Sequence, residues 1–130
     1  MRTVEEWKAL LRARLKEGLR RQDPASVAVI RSTLAAIDNA EAPDLKDAPA
    51  AQSLVIAGAV IGLGAGEVAR RRLSPAEVTA IVEREEREHR DAAATYDSLG
   101  RASDAQTLRG QADLLDSLLR PARFPGEDAQ

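Results

Sequence analysis

Apolar residues recur at intervals of three and four through the first twenty positions: Val4, Trp7, Leu11, Leu15 and Leu19. That spacing lines them along one stripe of an α-helix, with Lys8, Arg12, Lys16 and Arg20 on the opposite face. Thr3 and Glu6 stand at capping-box spacing, so the pattern predicts a helix over about 4–21. Asp23 followed by Pro24 is an N-cap with proline at the first helical position. It opens a second helix over about 24–41, with Val27, Ile30, Leu34 and Ile37 inward. Pro43 disfavours helix at Ala42 and ends it. Only two or three residues separate these helices, so they are expected to pair as an antiparallel hairpin.

From Pro43 to Leu73 the periodicity fails. Pro43, Pro49 and the glycines at 58, 62, 64 and 66 argue against a continuous helix. Leu54-Val55-Ile56 has the composition of a short strand without a clear partner strand. The segment reads as a long, irregular Gly/Ala-rich connection with short turns of helix. At about thirty residues it is longer than compact domains usually carry, and such connections are often functional.

Order returns at Ser74, Pro75 and Glu77, a second capping box with proline at the first helical position. The third helix is predicted over about 75–99, stopping at Gly100. Its inward positions are Val78, Val82, Glu85, His89, Ala92, Tyr96 and Leu99, with Ile81 widening the stripe. Glu83 with Arg87 and Glu86 with Arg90 are placed as i,i+4 pairs on the wet side. Ser103 with Gln106 reads as a third capping box, opening a fourth helix over about 104–120. Leu108, Leu115, Leu118 and Leu119 form its stripe until Pro121 ends it. Residues 122–130 read as a loose polar tail. The expected fold is all-α, one domain over 1–121 built as an antiparallel bundle of two helical hairpins. The four-three stripe of the third helix would equally suit a homodimer seam.

Composition narrows the function classes. The chain has 130 residues, 44% apolar and 31% charged, which is globular composition. Nineteen Lys and Arg against twenty-one Asp and Glu leave a charge of −2, unlike a chain made mainly to neutralise phosphates, and DNA binding is not expected. The aromatics Trp7, Tyr96 and Phe124 are too few for a base-stacking platform. Zero Cys removes disulfides and thiol nucleophiles. The most apolar stretch, Leu54 to Ala65, is twelve residues long, and a bilayer crossing needs roughly 20. Residues 1–21 lack the unbroken apolar region of a secretion signal, so a cytoplasmic protein is expected. Sixteen Arg against three Lys, with frequent Ala, fits a GC-rich genome.

Candidate chemistry is sparse. Glu85 and His89 lie one turn apart on the core face, as an acid–base pair or half of a metal site would. His89 is the only His, so a polar pair satisfied by hydrogen bonding is the preferred reading. Gly62-Leu63-Gly64-Ala65-Gly66 lacks the Lys-Ser or Lys-Thr and the strand-turn-helix context of a phosphate loop. Arg70, Arg71 and Arg72 precede a helix N-terminus and, with Arg20 and Arg21, are the candidate anion or RNA contacts. A solvated cluster is the plainer account of them. No catalytic residue, metal site or cofactor is predicted.

Two stretches taken together carry a resemblance. Arg31-Ser-Thr-Leu-Ala-Ala-Ile-Asp-Asn-Ala-Glu41 resembles the second-helix signature of the GatB/YqeY (YqeY-like) domain family. Glu67-Val-Ala-Arg-Arg-Arg-Leu-Ser74 then leads into a helix ending Ala92-Ala-Ala-Thr-Tyr96-Asp-Ser-Leu99-Gly-Arg101, and Ala105, Leu108 and Leu114-Leu115 continue the rhythm. The likeness spans about residues 3–119, and the Gly/Ala-rich connection is similar to that of actinobacterial members. The family is similar to the tail of the B subunit of the tRNA-dependent amidotransferase, which converts Glu-tRNA(Gln) or Asp-tRNA(Asn) using glutamine as nitrogen donor. In that subunit the tail helps engage tRNA and the kinase-like chemistry lies elsewhere. The resemblance therefore implies a non-catalytic accessory or adaptor domain with a protein partner or tRNA. Its alternatives are an RNA-binding module using Arg70–Arg72 and, more weakly, carbon–nitrogen ligase activity with glutamine as amido-N-donor. The sequence departs from the pattern where Pro121-Ala-Arg-Phe-Pro125 replaces the start of a further helical bundle, which weighs against direct tRNA binding. Gln111 stands where an acid is expected, and Gly110 weakens its helix by about 1 kcal/mol relative to Ala.

Overall fold

Thr3 starts the first helix as expected: its hydroxyl accepts from the Glu6 N–H at 3.1 Å and the Glu6 carboxylate accepts from the Thr3 N–H at 2.9 Å. The computed structural model describes residues 1–43 and 69–121. Among them are four helices and no strand: α1 (Val4–Arg20), α2 (Pro24–Glu41), α3 (Pro75–Ser98) and α4 (Ala102–Leu119). The strand-like Leu54–Ile56, Pro49, the glycines from 58 to 66 and the tail over 122–130 lie outside the described residues.

Two tight turns make the hairpins. At the end of α1 the Asp23 N–H bonds the Gly18 carbonyl at 2.9 Å and the Gln22 N–H bonds that of Leu19 at 3.2 Å, with Gln22 at φ 53°. This is a Schellman turn with a non-glycine residue in the left-handed position. The same Asp23 caps α2 by accepting from the Ser26 N–H at 3.3 Å, which is how three residues reverse the chain. Gly18 is buried, and a Cβ there would stand 3.1 Å from Val27 Cγ2, so its bareness lets the two helices close.

The second turn repeats the device. Gly100 takes φ +75°, the Arg101 N–H bonds the Tyr96 carbonyl at 2.8 Å and the Gly100 N–H that of Asp97 at 3.0 Å. Because Arg101 completes this turn, α4 begins at once at Ala102. Ser103 therefore lies inside the helix and the expected third capping box does not form; the N-cap is Arg101, without a side-chain cap bond. Gly100→Ala should cost about 1 kcal/mol for the left-handed backbone. Gly110→Ala, where an added Cβ meets nothing within 4 Å, should gain about 1 kcal/mol. Paired thermal melts check both signs.

The hairpins pack into one bundle. Trp7, Leu11, Val29, Ile30 and Ile37 from the first meet Leu73, Val78, Ile81, Val82, Leu115 and Leu118 from the second. α2 touches all three other helices, so Val29 and Thr33 are fully buried outside the stripe expected for it. Thr33 satisfies its hydroxyl by donating to the Val29 carbonyl at 2.8 Å. Arg2 donates to the Leu118 carbonyl and Gln111 to that of Ala25 at 3.0 Å, fixing α4 across the first hairpin.

Several expected inward residues stand elsewhere. Leu19 is 51% and Leu99 66% exposed; Leu19 sits at the first turn and Leu99 is the C-cap of α3. α3 spans about 36 Å against about 26 Å for α1. Among the described residues, the end of the second hairpin therefore has little but its own partner helix to pack on. Ala93 and Ala105 are buried there. Glu86, placed on the wet side by its spacing, is buried: Arg90 holds it at 3.0 Å and Arg120 reaches it from the end of α4 at 3.4 Å. No ion pair joins Glu83 to Arg87.

Candidate functional site

The polar centre of the described molecule is Glu41, the last residue of α2, only 7% exposed. Its carboxylate accepts from Lys8 Nζ at 2.7 and 2.9 Å and from Arg70 at 3.3 Å. Its backbone carbonyl accepts from the Arg71 N–H at 2.8 Å. Lys8 is therefore drawn off the wet face onto which its spacing placed it. Burial alone would push the Glu41 carboxyl up, but Lys8 and then Arg70 outweigh it and hold the group below its ordinary value. An acid at a helix C-terminus opposes the helix dipole, and that was the signal in the sequence that Glu41 needs cations.

The Arg70–Arg72 run lies beside this centre on a cleft of about 530 Å³, shared with Val4, Glu5 and Leu73. The three arginines differ. Arg70 also donates to the Asp38 carbonyl at 3.2 Å, and Arg71 stands 3.8 Å from Glu77. Arg72 is exposed and makes no ion pair among the described residues. Leu73, read as the end of the irregular connection, is a core residue. Arg20 and Arg21 are not brought here. Arg20 lies twelve residues from Lys8 along α1, about 18 Å, and pairs with Glu17 at 2.6 Å. The five arginines thus form two separate groups at opposite ends of α1.

Glu85 and His89 sit together on α3, but their side chains do not bond each other. His89 Nδ1 meets the Glu85 backbone carbonyl at 2.7 Å, which makes Nδ1 the protonated nitrogen. The buried Glu85 carboxylate accepts from the Ser32 hydroxyl at 3.0 Å, joining α3 to α2. An acid–base unit would need the imidazole on a reacting group or on the acid itself; here Glu85 joins two helices and His89 bonds a carbonyl of its own helix. Among the described residues no three His, Asp or Glu side chains gather closely enough to hold a metal ion. No described helix is long and apolar enough to cross a membrane.

No family model, curated protein or solved structure matches the chain.

Proposed function

We propose that this chain is a non-catalytic accessory or adaptor domain of the GatB/YqeY type, linked through that resemblance to tRNA-dependent amidotransferase systems and working in the cytoplasm. The observation that supports this reading is the use of Glu85 and His89. The two groups with the best claim to reactivity bond Ser32 and a helical carbonyl instead of facing a shared reactant. The favoured partner is a protein surface of the amidotransferase, ahead of tRNA or a second copy of the chain.

The test is binding of the purified chain to a reconstituted amidotransferase, read by calorimetry, alongside glutaminase assays with and without ATP. Saturable binding with no glutamine turnover by the chain alone is expected. Turnover that disappears in His89→Ala would overturn the reading in favour of a carbon–nitrogen ligase. The RNA alternative rests on the exposed run Arg70, Arg71 and Arg72 beside Glu41. A gel shift with bulk tRNA that weakens steeply with salt, and is lost when these three become Glu, would replace the adaptor with an RNA-binding module.

A further inference from the structure

The described residues on the two sides of 44–68 meet at one residue, Glu41. The Glu41 carbonyl takes the Arg71 N–H at 2.8 Å while its carboxylate takes Arg70 at 3.3 Å. Arg70 reaches back one turn to the Asp38 carbonyl at 3.2 Å, and Lys8 locks the same carboxylate to α1 at 2.7 Å. An acid-and-backbone clasp thus pins Arg70 and Arg71 to the end of α2. Immediately after it Leu73 enters the core.

The two hairpins are also joined directly through described residues. The core draws on both, and Arg2 to Leu118, Ser32 to Glu85 and Gln111 to Ala25 tie them at three levels. The entropy of linking two ends that already touch grows only slowly with the length of the link. We propose that the Glu41 clasp holds the described residues on either side of 44–68 together, and that the four-helix body of residues 1–43 and 69–121 keeps its fold without covalent continuity between the hairpins.

The test uses the full chain with a specific protease site inserted after Ala50. After cleavage the two pieces should co-elute as one helical species, with a Tm that rises with concentration because unfolding has become a dissociation. Lys8→Met with Arg70→Met should raise the dissociation constant of the cut protein at least tenfold while the uncut double variant stays helical. Arg70→Met alone, at a side chain 59% exposed, leaves the body folded and should show a smaller loosening. Pieces that separate and unfold at roughly micromolar concentration would overturn the proposal. So would an unchanged dissociation constant in the double variant.

Discussion

Leu11→Ala and Leu115→Ala should each destabilise the protein by about 2–5 kcal/mol, lowering Tm by about 10 °C or more. Both side chains are fully buried, one on α1 and one on α4, within the core that both hairpins share. Truncation removes their transfer energy and leaves a void that rigid neighbouring helices fill only in part. Leu34→Ala, at a half-buried position on the core's margin, should cost less. Leu19→Ala and Leu99→Ala, at the exposed hairpin ends, should stay within about 0.5 kcal/mol of the parent. Chemical denaturation of the five variants gives the ranking directly. Parental stability for both Leu11→Ala and Leu115→Ala would mean that the bundle is packed on other faces.

Lys8→Met should cost about 2–3 kcal/mol at neutral pH, between an exposed pair and a fully buried one. The loss arises because Glu41 stays buried with Arg70 as its remaining cation. The penalty should also depend on pH with a definite sign. Glu41 binds its proton less readily in the folded protein than at its ordinary value of 4.5. The unfolded chain therefore holds more protons through that range, and stability rises with pH. The contribution is complete above 4.5 and is lost as pH falls through the lowered folded value. Glu41→Gln removes this linkage, so its deficit against the parent should shrink on acidification. Urea midpoints for parent, Lys8→Met and Glu41→Gln at several pH values would measure it. A deficit that grows towards acid would contradict the assignment.

Local signals were legible in the sequence wherever a helix depended on its own residues. The capping boxes at Thr3 and Ser74, the Asp23-Pro24 start and the Gly100 stop all appear in place, because each is closed by atoms a few positions apart. The Ser103 box failed for a neighbouring reason: the turn ending α3 already dictates where α4 starts. Tertiary context decided the rest. A single stripe describes a helix with one neighbour, whereas α2 has three, so Val29 and Thr33 escaped it. Glu86 and Lys8 looked solvated because their partners, Arg120 and Glu41, lie 34 and 33 residues away along the chain. The arginine run was visible, but not that Arg70 and Arg71 hold α2 while Arg20 and Arg21 stand at the far end of α1.

The bond from Arg2 to the Leu118 carbonyl brings the first residues of α1 beside the last turn of α4. A short linker joining those two places would therefore bridge little distance, and the order of the hairpins along the polypeptide becomes interchangeable. A circular permutant beginning with α3 and ending with α2 should rebuild the same bundle, since permutation succeeds where joined ends are close.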